Sequence, residues 1–294
     1  MGSEAVTATP APPLRAVIKS YRGYRSFGGP PVHRGLPSGA LTFIISLDDP
    51  VDIAAMPSGL QVPGKFQAFI GGMHDTPAYI RQHGFQHGLS LEMTPLGSRT
   101  LLGLPAGELA NAVVSLDELV GPSARDLVDR LATARGWRER FVALDEALVR
   151  WLKTPSRSVP EVQRAWEMLV STAGSVEVST LADEVGYGRR HLGDLFRREL
   201  GLAPKAAARV LRFERSRRLI ACPEKPNLAQ VAAAAGYYDQ AHMTREWTEI
   251  AGCPPSVWMA EELPFVQDEP IDSETNLDHD NNPITKRLAR SALS

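Results

Sequence analysis

Basic residues, which can bind phosphate or read the edges of bases, are concentrated in one stretch of this chain. The 294-residue chain has a formal net charge of −2, yet residues 189–218 contain ten cations against three anions, an excess of seven positive charges. The cations are Arg189, Arg190, Arg197, Arg198, Lys205, Arg209, Arg212, Arg215, Arg217 and Arg218. A local excess of this kind is the electrostatic footprint of a nucleic-acid interface, and the alternative is a solvated helix face.

A pattern that occurs twice indicates how these cations are positioned. The first copy contains Ala182, Gly186-Tyr187, His191-Leu192, Phe196, Gly201 and Pro204, and the second contains Ala232, Gly236-Tyr237, His242-Met243, Trp247, Gly252 and Pro255. A small alanine lets two helices cross closely, and a glycine four residues later permits the tight turn between them. The pattern therefore predicts two helix-turn-helix units, and hence a protein that reads DNA.

The helices expected around these units follow from apolar spacing and from Gly and Pro punctuation. They cover residues 161–173, 180–185, 189–199, 205–221, 228–235, 239–249 and 255–261. The connecting helix 205–221 spans 17 residues, or about 25 Å at the helical rise. A rigid helix of that length can set two recognition helices near the ~34 Å that separates successive major grooves.

Candidate base readers lie at the starts of the two recognition helices. They are Arg189 and Arg190 in the first and Gln240, His242, Thr244 and Arg245 in the second. Arginine offers a fork to guanine, and glutamine offers a matching pair of hydrogen bonds to adenine. Contacts to phosphate, which position the protein without specifying a sequence, are expected from Arg197, Arg198, Lys205 and Arg209.

Three further residues in these helices have two interpretations. His191 and His242 occupy equivalent positions, where a role in stabilising the turn competes with a DNA contact. Asp194 can accept a hydrogen bond from a cytosine amino group, but it would repel phosphate. Its alternative is an ion pair with Arg190 or Arg198, each four residues away on the helix, and we favour that pairing.

The first half of the chain is predicted to be rich in β-structure. Short apolar runs at 41–47, 66–70 and 89–93 each end at Gly or Pro signals within residues 14–104, and residues 105–151 show helical spacing. The expected fold class is α+β, with a β-rich N-terminal domain and following helices, plus an all-α C-terminal domain of two helix-turn-helix units joined by a long helix. The expected boundaries are a disordered segment 1–13, an N-terminal domain 14–153, a linker 154–160, a DNA-binding domain 161–262 and a largely disordered tail 263–294.

The C-terminal half resembles transcription regulators of the AraC/XylS type. The stretches that carry the resemblance are Leu181 to Tyr187, His191-Leu192, Leu195-Phe196, Arg212-Phe213, Arg217 to Leu219, and Ala232 to Trp247 with Gly252 and Pro255. Trp247 stands where this family more often has Phe. The segments around Gly71 to Pro77, Pro95 to Pro105 and Trp137 to Asp145 resemble the sensor half of a subset of these regulators.

This resemblance implies a sequence-specific, non-enzymatic regulator that binds double-stranded promoter or operator DNA. It further implies RNA polymerase as a partner if the protein activates transcription. A small-molecule effector on the N-terminal domain and a homodimer remain open, although one chain with two recognition helices can bind two grooves alone. No cofactor is expected.

Two other functions compete with this interpretation. His33, His74, His83 and His87, with Asp75 and Glu92, fall in the β-rich half and could form a metal site, but their spacing gives no ligand set. An interaction module that has lost DNA binding is disfavoured by the basic stretch. Because no apolar run approaches the ~20 residues of a membrane span and the first residues lack a signal core, a cytoplasmic protein without membrane contact is expected.

Overall fold

A computed structural model describes residues 3–153, 159–222 and 227–263. The N-terminal domain contains ten strands: β1 Glu4–Ala8, β2 Ile18–Phe27, β3 Val32–Gly35, β4 Leu41–Ser46, β5 Val51–Ala55, β6 Gly64–Phe66, β7 Ala68–Gly71, β8 Ala78–Arg81, β9 Phe85–Met93 and β10 Val113–Ser115. Its helices are α1 Ser98–Leu101, α2 Leu116–Val120, α3 Ser123–Thr133 and α4 Trp137–Trp151, with 3-10 turns at Pro12–Leu14, Pro95–Gly97 and Ala106–Leu109.

The strands form two antiparallel sheets. The larger has the order β1-β2-β9-β4-β7-β10, and the smaller has the order β3-β8-β5-β6. One face of the larger sheet belongs to the main core, in which the ring of Tyr21 stacks on Phe141 of α4 with centroids 6.0 Å apart. The other face carries Ile44 and Phe69, which pack with Ile53 of the smaller sheet. The larger sheet therefore lies between the helices and the smaller sheet.

The predicted disorder of residues 1–13 is wrong for the part of that segment that the structure describes. Residues Glu4–Ala8 form β1, which pairs with β2, and Val6 and Ala8 enter the main core. The backbone N–H of Ala11 donates to buried Asp145 at 2.9 Å, and the Tyr21 hydroxyl donates to the same oxygen at 2.8 Å. Small side chains and a carboxylate 134 residues away anchor this segment, so local composition did not reveal it.

In the N-terminal half, the predicted helical stretch is wrong in part and the three predicted strands are present. Of the helical stretch expected over 105–151, Val113–Ser115 is instead a strand, because it pairs with β7 at the edge of the larger sheet. Each of the three expected strands overlaps an observed one, namely β4, β7 and β9. The expected linker falls largely on residues 154–158 and the expected tail on residues after 263, which lie outside the described residues.

The C-terminal half is helical. Its helices are α5 Pro160–Ser171, α6 Val178–Glu184, α7 Arg189–Leu200, α8 Pro204–Ile220, α9 Leu228–Ala235, α10 Gln240–Ala251 and α11 Pro255–Glu261. The first half of α8, including Ala207 and Val210, belongs to the main core, which the N-terminal domain shares. Its second half, including Phe213 and Ile220, belongs to a separate core built with α9, α10 and α11. The helix α8 thus joins two apolar cores.

Within the described ranges, no helix combines the length and apolar character that a bilayer span requires.

Candidate nucleic-acid interface

The two helix-turn-helix units are α6–α7 and α9–α10. In both, the turn glycine has a left-handed backbone, with φ of 70° at Gly186 and 84° at Gly236. Glycine adopts this conformation without the steric cost that a Cβ imposes, which is why the repeated glycine predicted the turns. In the second unit the carboxylate of Asp239 accepts from the His242 N–H at 2.6 Å and caps α10.

Equivalent residues bury one face of each recognition helix. Leu192 and Phe196 of α7 are fully buried, and so are Met243 and Trp247 at the matching positions of α10. The 3.6-residue period therefore turns the same positions of both helices toward solvent. On α7 the exposed positions include Arg189, Arg190, Asp194 and Arg197, and on α10 they include Gln240, Arg245 and Thr248, with Thr244 half-buried between them.

The structure brings the predicted base readers together on these two faces. No ion pair between described residues involves Arg189, Arg190 or Arg245, so their guanidinium groups are not neutralised by carboxylates there. The Thr244 hydroxyl donates to the Gln240 carbonyl at 2.9 Å, so its oxygen can still accept a hydrogen bond. The polar groups on each helix can thus serve as direct readers of a groove.

Asp194 forms an ion pair, as favoured, but with a different arginine. Its Oδ1 lies 3.0 Å from Nη1 of Arg197, three residues along α7, and not near Arg190 or Arg198 as predicted. Arg198 instead turns to the neighbouring carboxylate of Glu199, at 2.9 Å. The difference arises because Glu199 is buried against the N-terminal domain and attracts the closest cations.

The two equivalent histidines contact tyrosines of the turns. The ring of His191 meets Tyr187 edge-to-face with centroids 4.8 Å apart, and His242 meets Tyr237 in the same way at 5.4 Å. These contacts support the turn-stabilising interpretation for both. His191 is exposed and His242 is half-buried, so a DNA contact by either ring remains a prediction.

The basic stretch does not form one continuous surface. Arg209, expected at phosphate, is half-buried and pairs with Glu246 and Glu249 of α10. Arg212 pairs with Glu246 at 3.2 Å and also donates to the Gly174 carbonyl at 2.9 Å. Lys205 is exposed at the start of α8. Part of the basic stretch therefore holds the second unit together instead of facing solvent.

Glu246 is a structural residue that the sequence reasoning missed. It is buried in α10, accepts hydrogen bonds from Arg209 and Arg212 of α8, and lies 3.5 Å from His242 Nε2. Its counterpart in the first repeat is Leu195. The sequence did contain a signal for this role. It has a carboxylate where the first repeat has an apolar residue, and the connecting helix offers two arginines to pair with it.

Replacing Glu246 with Gln should lower the free energy of unfolding by about 2–4 kcal/mol, because the partly buried Arg212 loses its carboxylate partner and Arg209 keeps only Glu249. Urea denaturation monitored by circular dichroism measures this loss. Glu249→Gln is the matched control: it is one turn along α10, pairs with Arg209 and is largely exposed, so a cost under about 1 kcal/mol is expected. Equal losses in the two variants would remove Glu246 from this role.

Two exposed side chains beside the predicted readers were also missed. Tyr238 is 93% exposed immediately before the cap of α10, and Thr248 continues the exposed face one turn after Thr244. The repeat could have indicated Thr248, because it matches Arg197 in the first unit. Tyr238 lies in the turn of the second unit, which is one residue longer than the first turn, so the repeat gives it no clear counterpart.

A cleft of about 250 Å³ opens between the two sheets of the N-terminal domain. Its lining residues include Arg22, Tyr24, His33, Ile44, Phe69 and Ile80. Burial lowers the pKa of Arg22, although the nearby Tyr24 acts in the opposite direction. Burial also raises the pKa of Tyr24 to about 12. The cleft thus combines apolar walls with desolvated polar groups, the composition typical of small-molecule sites.

Two of the histidines considered for a metal site each lie beside a single carboxylate instead. His33 lies 2.8 Å from Glu262, and His83 lies 3.5 Å from Asp52. In the parts of the chain that the structure describes, no group of three or more His, Cys, Asp or Glu side chains is placed to hold a metal ion.

The N-terminal domain contacts the recognition helix of the first unit directly. Arg99 binds Glu199 of α7 through two hydrogen bonds, of 2.8 and 3.0 Å. Burial alone would raise the pKa of Glu199, but the hydrogen bonds from Arg99 and Arg198 outweigh it and hold that pKa below its usual range. Gly107 lies against the carbonyls of Arg197 and Arg198, where an added Cβ would come within 2.2 Å of an oxygen. The end of α7 is therefore seated on the N-terminal domain.

Comparisons with known proteins agree with this arrangement. Residues 181–261 match a family described as a helix-turn-helix domain, and residues 6–115 match a domain of unknown function, DUF6597. No curated protein matches the chain.

Among solved structures, ToxT from Vibrio cholerae aligns with 82% of this chain and 98% of its own, at 10% identity and a TM-score of 0.50. An apo ToxT variant from Vibrio cholerae strain SCE256 aligns with 82% of this chain and 97% of its own, at 10% identity and a TM-score of 0.51. ToxT from Vibrio cholerae O395, bound to (E)-4-(8-methylnaphthalen-1-yl)but-3-enoic acid, aligns with 88% of this chain and 98% of its own, at 8% identity and a TM-score of 0.50. At these identities the likeness establishes a ToxT-like fold.

The duplicated turns, the two exposed recognition faces and the matched domains lead to one assignment. Residues 181–261 are an AraC-type helix-turn-helix domain, the DNA-binding domain of a transcription regulator, and this domain follows a DUF6597 domain at residues 6–115.

Proposed function

We propose that this regulator binds a specific DNA sequence by placing α7 and α10 in two successive major grooves. The observation that carries the proposal is the equivalence of their exposed faces, on helices that precede and follow the continuous helix α8 along the chain. At about 1.5 Å per residue, the 17 residues of α8 span about 25 Å. With the width of the flanking helices added, this length suits grooves one helical turn apart.

The proposed base readers are Arg189 and Arg190 on α7 and Gln240, Thr244 and Arg245 on α10. Arginine and glutamine make the bidentate contacts that distinguish guanine and adenine. Arg197 and Arg198 in the last turn of α7 and Lys205 at the start of α8 are exposed and are proposed to bind phosphate. Arg209 is proposed as a structural residue instead, because its side chain is only 26% exposed between Glu246 and Glu249. Arg197 and Arg198 also pair with carboxylates, but their side chains stay 62% and 59% exposed.

The N-terminal domain is proposed to bind a small effector in the cleft between its two sheets. The apolar walls and desolvated polar groups of the cleft support this proposal, as does ToxT, a protein of the same fold whose structure holds a small organic acid. If the regulator activates transcription, it contacts RNA polymerase. A homodimer is compatible with, but not required by, two recognition helices on one chain, and such a regulator acts in the cytoplasm.

Selection from a random DNA library, followed by fluorescence anisotropy over a salt series, tests the proposed function. We expect one sequence family to be enriched, with nanomolar affinity and a plot of log K against log salt concentration that falls with a slope of about −3 or steeper. That slope corresponds to at least three phosphates neutralised by Arg197, Arg198 and Lys205. Binding that is indifferent to both sequence and salt would contradict the proposal.

A further inference from the structure

Glu262 is a buried carboxylate at the end of the second unit that is bound by two residues of the N-terminal domain. It is 1% exposed, and its two oxygens lie 2.8 Å from His33 Nδ1 and 2.7 Å from Arg34 Nη1. The backbone N–H of Arg34 donates to it as well, at 3.3 Å. Burial would raise the pKa of Glu262, but His33 and Arg34 lower it, so the carboxylate is charged where it binds. We call this contact the Glu262 latch.

The two units are attached to the N-terminal domain in different ways. The apolar residues of the first unit, such as Leu192 and Phe196, belong to the same core as Leu101 and Leu109 of the N-terminal domain. The second unit has its own core, which only the half-buried Leu36 of the N-terminal domain joins among the described residues. Separating the first unit would expose a continuous apolar core, whereas separating the second would mainly break polar contacts.

The latch is connected to the second recognition helix by direct packing. Glu262 immediately follows α11, whose Trp258 packs on Trp247 of α10 with ring centroids 5.6 Å apart. At the C-terminal end of α10, the hydroxyl of Tyr79 lies close to Gly252, because a Cβ added to that glycine would be 2.3 Å from the hydroxyl oxygen. A change at Glu262 therefore reaches the buried face of the helix whose opposite face carries Gln240 and Arg245.

His33 belongs to both the latch and the cleft. Strand β3 places its imidazole against Glu262, and the same side chain lines the cleft between the sheets. A molecule bound in the cleft can therefore contact the side chain that holds Glu262.

We propose that the first helix-turn-helix unit is the fixed half of the DNA reader and that the second is its adjustable half, released when the Glu262 latch opens. The proposal rests on the proposed DNA-binding function and extends it, because it names the contact through which the N-terminal domain acts on α10. An effector in the cleft opens the latch by engaging His33, and the second recognition helix, still joined to the first unit through α8, then tolerates small changes in half-site spacing.

Hydrogen exchange on the full-length Glu262→Gln variant tests this proposal, with Glu261→Gln as the matched control. Glu261 is the adjacent residue and also pairs with Arg34, but it is half-exposed and does not bind His33. For Glu262→Gln we expect amides in α10 and α11 to exchange at least tenfold faster than in the unmodified protein, with those in α7 unchanged. The Glu261→Gln variant should match the unmodified protein in all three helices. His33→Gln, which keeps Arg34 in place, is the second variant should Glu262→Gln fail to fold.

DNA binding gives a separate readout. On the selected DNA with one base pair inserted between its half-sites, the unmodified protein should lose affinity at least tenfold more than Glu262→Gln does. Unchanged exchange in α10 and α11, or equal acceleration in α7, would overturn the latch. If selection enriches no DNA, the proposed function fails, while the exchange measurement still decides whether Glu262 holds the second unit.

Discussion

Replacing Trp247 with alanine is expected to lower the free energy of unfolding by about 3–5 kcal/mol, among the largest losses that a single substitution causes. Trp247 is fully buried at the centre of the second core, between Phe213 at 4.7 Å and Trp258 at 5.6 Å, measured between ring centroids. Its indole N–H donates to Ser216 at 2.7 Å, so alanine leaves a cavity and removes this buried hydrogen bond, although the Ser216 hydroxyl still donates to the Phe213 carbonyl. Urea denaturation monitored by circular dichroism measures the loss.

Trp247→Phe and Thr248→Ala are the controls for this prediction. Phenylalanine retains an aromatic ring in the core but loses the hydrogen bond to Ser216, so its cost should be smaller, about 1–2 kcal/mol. Thr248 is the exposed neighbour on α10, and its replacement should change stability by less than about 0.5 kcal/mol. A loss below about 1 kcal/mol for Trp247→Ala would mean that the second unit does not fold around this residue.

Removing Arg190 and Arg245 together should weaken binding to the selected DNA by about 2–6 kcal/mol. Each arginine is exposed on the side of its own recognition helix that is proposed to face the groove, and a base-reading arginine contributes about 1–3 kcal/mol. Because the two residues belong to separate units, the losses of Arg190→Ala and Arg245→Ala should add. Anisotropy titrations of both single variants and the double variant measure these values.

The control for lost charge is Arg125→Ala, which removes an exposed arginine of α3 in the N-terminal domain and should leave affinity nearly unchanged. Each single variant should also relax the base preference in one half-site only. A double variant that retains full affinity and selectivity would exclude Arg190 and Arg245 as readers. A double variant no weaker than either single variant would show that only one unit reads bases.

Local patterns were sufficient to predict the helix-turn-helix units. The turn glycines Gly186 and Gly236 have positive φ, and the apolar positions Leu192 and Met243 are buried as the helical period requires. These features depend on residues a few positions apart, so they are legible in a single sequence. The same period separated the exposed positions from the buried ones and thereby grouped the predicted base readers.

Contacts between distant residues could not be predicted in this way. Arg99 and Glu199 are 100 residues apart, Ala11 and Asp145 are 134 apart, and no local spacing relates them. The same holds for Arg209. Its carboxylate partners lie on α10, and they bind the guanidinium group that the sequence predicted to contact phosphate. Charge along the chain therefore overestimated the basic surface, because tertiary contacts neutralise part of it.

Hydroxyl-radical footprinting on the selected DNA shows whether α7 and α10 occupy successive grooves. We expect two protected segments whose centres are about 10–10.5 base pairs apart, with one lost in Arg190→Ala and the other in Arg245→Ala. Protection of one segment only, or two segments that both persist in each single variant, would contradict a regulator that reads successive grooves with α7 and α10.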